Sequence, residues 1–217
     1  MKLIPEWYEH QYCLIAWPCN KDLYGKIINK ARDEVANVIN EIAKTEHVIV
    51  LSNKEDINEI QNKTDHKNID IVECKLDDSW MRDIAPIFYK EDKKLKSISF
   101  EFNGYGKYPG YLNDNKISKF ISNYLNIPTK ISDLVIEGGA ITYDDKKNLF
   151  STKNVIFNKN RKQKHNSEYI IKELKLLFDL NYIFLFENGL MEDDTDGHVD
   201  NLLLSLIHIS EPTRLSL

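Results

Sequence analysis

Apolar positions along this chain alternate between short continuous runs and runs of helical spacing. Gln11 to Trp17 (QYCLIAW) is an apolar run closed by Pro18, and predicts a buried strand. Between Lys26 and Lys44, residues Ile27, Ile28, Ala31, Val35, Val38, Ile39 and Ile42 recur three and four apart, which predicts an amphipathic helix. HVIVL at His47 to Leu51 predicts a second strand. Lys54 to Asn62 reads as a helix with Ile57 and Ile60 inward, and Ile69 to Glu73 as a third strand. Further strands are expected at Pro86 to Tyr89, Ser97 to Phe102, Ala140 to Tyr143 and Tyr182 to Phe186. Further helices are expected at Lys116 to Leu125 and Ser167 to Phe178. Strands and helices mix throughout, and no Gly/Ser-rich linker divides them. The pattern predicts an α/β protein of one continuous architecture.

The end of the chain breaks this pattern. His208 to Arg214 follow neither period. LSLIHISEPTR can be written in codons that form the reverse complement of a transposase sequencing adapter. We therefore expect Leu204 to Leu217 to be a non-native tail and residues 1–203 to form the domain. The alternative is a natural C-terminal strand. His208 and Glu211 are not taken as site candidates.

Composition narrows the function classes. The chain has 217 residues, of which 42% are hydrophobic, enough for a sizeable core. A net charge of -5 with both signs interspersed gives no basic footprint for nucleic acid. No apolar run approaches a membrane span, and the first residues lack the apolar core of a secretory signal. Cys13, Cys19 and Cys74 form no CxxC pair, so reduced thiols and a cytoplasmic setting are expected.

Three segments set polar residues beside glycine, proline or tryptophan where strands should end: Asp78–Pro86 (DSWMRDIAP), Ile136–Ala140 (IEGGA) and Asp193–Asp200 (DDTDGHVD). Loops on a rigid scaffold often carry chemistry. A carboxylate at Asp83 beside the Trp80 ring suits a planar cation, which the carboxylate can bind bidentately and the ring can stack upon. The alternative puts Trp80 in the core and pairs Asp83 with Arg82 or a backbone N–H. Glu137, between an apolar run and two glycines, should be partly buried and need a partner, for which a histidine is suited; an ordinary turn is the alternative. His198 and Asp200 would share one face of an extended segment. A histidine there can shuttle protons, whereas a purely structural histidine is the plain alternative. A metal site ranks low, because no second histidine stands at ligand spacing.

In this order the three segments resemble the agmatine deiminase and bacterial peptidylarginine deiminase family, with its W-x-R-D-x-x-P, E-G-G and T-D-G-H-x-D motifs. Ala16-Trp17-Pro18 is similar to the family's early A-W-P. Phe102 to Tyr108 is similar to its F-N-x-W-G segment, with Tyr105 in place of the tryptophan. Asn158 to Arg161 is similar to its N-x-N-R. Ala85 stands where the family usually has glycine, which should perturb the turn after Asp83. The resemblance covers nearly all of residues 5 to 202.

The resemblance implies a pentein fold, a propeller-like ring of α/β modules, of which this chain would hold about three of five. It implies hydrolysis of a guanidinium to a ureido group by a cysteine thiolate, with no metal or organic cofactor. Agmatine is the implied substrate, and peptidyl-arginine the alternative. Asp83 and Asp200 would grip the guanidinium, His198 would act as general acid and base, and Glu137 would partner His198 or the substrate nitrogens. Trp80 would line the pocket, and Asp194 would face the distal amine of agmatine. None of the three cysteines matches the glycine-rich setting of the family nucleophile. The chain alone could then be a guanidinium-binding fragment without catalysis. It is also expected to fold poorly with its missing modules uncovered. A metal-dependent ureohydrolase is disfavoured, because its histidine and aspartate cluster is missing. A homo-oligomer is left open for the full-length protein.

Overall fold

The structure is a computed structural model that describes residues 2–65 and 67–203, so the tail expected at Leu204 to Leu217 lies outside the described residues. In chain order the strands are β1 (Lys2–Leu3), β2 (Tyr12–Ala16), β3 (His47–Ser52), β4 (Ile69–Glu73), β5 (Ile87–Glu91), β6 (Lys94–Glu101), β7 (Thr129–Val135), β8 (Thr142–Tyr143), β9 (Asn148–Thr152) and β10 (Tyr182–Phe186). The helices are α1 (Lys21–Tyr24), α2 (Ile28–Ile42), α3 (Ile57–Lys63), α4 (Met81–Ile84), α5 (Ile117–Tyr124), α6 (Lys153–Ile156) and α7 (Ser167–Phe178). The α/β class expected from the sequence holds. The continuous architecture does not, because the chain forms two compact units. The chain passes between them without a linker, which is why composition showed no boundary.

One unit comprises Glu9–Ile84 and Gly110–Ile117. Its sheet is parallel, in the order β2-β3-β4. Trp17, Ala36, Ile39, Ala43, Val48, Val50 and Ile60 form the core between this sheet and the helices. Ile49 and Leu51, on the other face of β3, are also buried, which explains an unbroken apolar run in place of alternation. The A-W-P motif is structural here. Trp17 is fully buried and its backbone N–H donates to the Leu51 carbonyl, while the Pro18 carbonyl accepts from Arg32 Nε at 2.9 Å.

The inward face of α2 differs from the apolar stripe in the sequence. Arg32, Ala36 and Ile39 are buried, whereas Ile27 and Val38 are 62% and 52% exposed. Arg32 can occupy the inner face because Asp56 at 2.8 Å and Glu59 at 2.5 Å neutralise it. A buried charge is tolerated when paired and hydrogen-bonded, and hydropathy alone does not register that.

The other unit comprises Met1–Tyr8, Ala85–Pro109 and Ser118–Leu217, of which residues 1 and 204–217 are not described. It holds a mixed sheet ordered β1-β5-β6-β7 and a second sheet ordered β10-β9-β8. One core, including Leu3, Tyr89, Ile98, Leu134, Leu149, Leu174 and Phe178, joins the two sheets and α7. β1, β7 and β9 lie outside the strands expected from the sequence. In β7 polar residues interrupt the apolar pattern, and its register against β6 shifts between Ser99 and Glu101. In β9, Ser151 and Thr152 are fully buried because their hydroxyls donate to the carbonyls of Ala140 at 2.6 Å and Gly197 at 2.7 Å. A satisfied hydroxyl can be buried, although it reads as polar in the sequence. Among the described residues the sheets are open. No helix there is long and apolar enough to cross a membrane.

Candidate active site

Glu137 and His198 are brought together. β7 carries the chain inward to Ile136 and Glu137, and a single helical turn at Gly138–Ala140 then redirects it. Glu137 is fully buried and His198 is 2% exposed. His198 Nε2 lies 3.4 Å from Glu137 Oε2, an ion-pair contact at the long end of hydrogen-bond range. The expected histidine partner for Glu137 is therefore present.

A second partner was not foreseen. The Arg161 side chain, 1% exposed, places Nε 3.1 Å from Glu137 Oε1. Its other two nitrogens reach Asp196 Oδ2 at 2.8 Å and the Thr195 carbonyl at 2.7 Å. Two carboxylates thus flank one guanidinium. Burial by itself would push the Glu137 carboxyl up. Its hydrogen bond to His198 and the charges of Arg161 and His198 outweigh that and hold it below the ordinary carboxylate range. Two features of the sequence point to Arg161: it ends the N-x-N-R segment, and a buried glutamate needs a cation.

The loop carrying His198 is held from several sides. Asp193 Oδ2 accepts from Thr195 Oγ1 at 2.5 Å, Gly197 N–H at 2.9 Å and His198 N–H at 3.0 Å. The Asp193 carboxylate is therefore engaged by its own loop. Thr152 Oγ1 donates to the Gly197 carbonyl at 2.7 Å. Gly197 has φ +104°, and a Cβ on Gly189 would lie 2.2 Å from the Gly197 Cα, so the two backbones pack at glycine distance. Asp196 also forms an ion pair with Lys107.

The segment Phe102–Tyr108 packs beside this loop. Asn103 Nδ2 donates to the Arg161 carbonyl at 2.8 Å. The buried Tyr105 ring lies 5.8 Å from the His198 ring and 5.9 Å from the Arg161 guanidinium carbon, within cation–π range. Tyr105 itself has φ +58°.

The remaining candidates stand differently. Asp200 is half-buried in a single helical turn at Val199–Asn201, so the extended segment expected to align it with His198 is not formed. Successive residues of such a turn rotate by about a third of a circle, not half. Asp194 is exposed, and its carbonyl accepts from Lys107 Nζ at 3.1 Å. Trp80 and Asp83 belong to the other unit, where α4 begins right after Trp80. Trp80 is 48% exposed, which rules out the core alternative. Ala85 does not have positive φ, so the chain accepts a methyl where the family pattern has glycine.

All three thiols are pushed above the ordinary thiol range. Burial, and then the charge of Glu46, pushes Cys13 up. Burial with surrounding aspartates pushes Cys19 up to about 12, and burial pushes Cys74 up to about 11. Thiolate is the reactive form, and it is scarce under these conditions. Among the described residues no cluster suits a metal ion.

The family described as Porphyromonas-type peptidyl-arginine deiminase matches residues 2–207. The agmatine deiminase of Pseudomonas aeruginosa is 30% identical over 203 residues, covering 90% of this chain and 55% of the relative. A Mycoplasma capricolum protein that carries the agmatine deiminase name provisionally is 33% identical over 213 residues, covering 95% of this chain and 57% of the relative. A substrate-bound cysteine-to-serine form of the C. jejuni agmatine deiminase superposes with TM-score 0.83 at 28% identity, over 92% of this chain and 60% of that one. The agmatine deiminase of Enterococcus faecalis shares the fold with TM-score 0.86 at 19% identity, over 92% of this chain and 56% of that one. The chain thus spans little more than half the length of the relatives it matches. It belongs to the Porphyromonas-type peptidyl-arginine deiminase family.

Proposed function

We propose that the whole protein hydrolyses the guanidinium of agmatine to N-carbamoylputrescine and ammonia through a cysteine thiolate. The observation that carries this reading is the buried Glu137–His198 pair, held by the D-D-T-D-G-H loop in a chain that matches agmatine deiminases along most of its length. Glu137 keeps the imidazole oriented, and His198 protonates the departing ammonia and then takes a proton from water. The thiolate attacks the guanidinium carbon, ammonia leaves, and water displaces the sulfur. Because Cys13, Cys19 and Cys74 are unsuited, the nucleophile is assigned outside the described residues. The cysteine-to-serine replacement in the substrate-bound C. jejuni relative supports a thiol in this role. Asp83 and Asp200 are assigned to the guanidinium nitrogens, Trp80 to the pocket wall and Asp194 to the distal amine. The open sheets are read as part of a pentein ring.

The description of the matching family favours peptidyl-arginine as a second reading. A competition assay with the whole protein separates the two. Ammonia released from agmatine and unaffected by an arginine peptide supports the first reading. Turnover of the peptide alone replaces it, and no turnover of any guanidine overturns both.

A further inference from the structure

We infer that Arg161 is a positioning residue that locks the 193–200 loop onto Glu137 and so fixes where the His198 imidazole stands. The inference deepens the proposed function and rests on that reading for its activity arm only. A guanidinium offers five donors in a rigid plane. Arg161 uses the Nε edge on Glu137, at 3.1 and 3.3 Å from its two oxygens. It uses the far edge on the loop, at Asp196 Oδ2 and the Thr195 carbonyl. One planar group thereby ties the carboxylate to the chain two and three residues before His198. The spacing between Glu137 and the loop is set by the width of that group.

The surroundings keep Arg161 from swinging away. Its carbonyl is held by Asn103 Nδ2, and Tyr105 lies over the guanidinium. A Cβ at Gly106 would lie 1.8 Å from the Asn160 carbonyl oxygen, so the backbone before Arg161 is pressed against a glycine. Lys107 pairs with the outer side of Asp196. The charges therefore alternate along Glu137, Arg161, Asp196 and Lys107, with the His198 imidazole at the Glu137 end. The middle of that series is buried, where weak solvent screening makes each member depend strongly on its neighbours.

Charge and shape separate by substitution in the whole protein. Arg161→Lys keeps the cation but cannot span both edges. Arg161→Gln removes the cation. Two readouts apply: the pH dependence of agmatine hydrolysis, and the titration of the Glu137 carboxyl carbon by NMR on 13C-labelled glutamate. Arg161→Lys should lower kcat about a hundredfold while KM moves less than about threefold, with the acidic limb near its wild-type position. Arg161→Gln should shift both the acidic limb and the Glu137 titration upward by about one pH unit or more. A merely structural role would lower the folded fraction and leave both pH midpoints in place. Wild-type kcat in Arg161→Lys, or an unmoved Glu137 titration in folded Arg161→Gln, overturns the inference. If Arg161→Gln does not fold, the Arg161→Lys kcat decides. If the protein hydrolyses no guanidine, the NMR titration still decides on Arg161, and only the functional reading falls.

Discussion

Glu137→Ala should destabilise the unit that carries it before any question of catalysis arises. The carboxylate is fully buried and Arg161 is 1% exposed, so the substitution leaves a desolvated guanidinium short of one of its two anions. Removing one partner of a buried ion pair costs about 3–5 kcal/mol. Arg161 keeps Asp196 at 2.8 Å and the Thr195 carbonyl at 2.7 Å, which points to the lower end of that range. For a unit of this size the drop in Tm is about 6–12 °C. Glu137→Gln should fall between, since an amide oxygen still accepts from Arg161 Nε but carries no charge. The pH dependence has a definite sign. The folded carboxyl sits below its ordinary value, so the unfolded chain binds the proton more readily. The stability from its ionisation is fully present above the unfolded value of about 4.3, and is lost as pH falls through the folded value. The gap between wild type and Glu137→Ala should therefore narrow as pH drops below about 4. Thermal unfolding by circular dichroism at a series of pH values measures this. A variant that melts within about 1 °C of wild type at neutral pH would show that the pair is not desolvated, and the reasoning would fail.

Two further outcomes follow from geometry. Gly106→Ala should cost more than about 2 kcal/mol, because φ is +69° and the new Cβ would meet the Asn160 carbonyl oxygen at 1.8 Å; urea denaturation reads the loss, and a neutral variant would contradict the close approach. Cys19 and Cys74, held up to about 12 and about 11, should alkylate with iodoacetamide at pH 7 far more slowly than free cysteine. Rapid labelling of either, followed by mass spectrometry, would reopen the question of a nucleophile among them.

The sequence by itself determined the class of the fold, most of its long elements and the segments that matter. β4, β10 and α7 lie where the apolar pattern placed them, although Tyr182, Phe184 and Phe186 of β10 remain exposed among the described residues. The ordered motifs named the family, and the fold and relatives agree with it. Wherever partners decide burial, the tertiary structure was needed. Arg32 faces the core because Asp56 and Glu59 meet it there, and β9 is buried because its hydroxyls find carbonyls. His198 and Asp200 are two apart, but a helical turn replaces the extended segment that spacing suggested. In the sequence Arg161 shows as the end of a motif and as one cation that a buried glutamate could take. Its place between two carboxylates comes from bringing residues 24 and 35 positions apart to one point, and no local pattern encodes that separation. Periodicity reports the average polarity of a face, whereas the cancellation of individual buried charges is fixed only when the chain has folded.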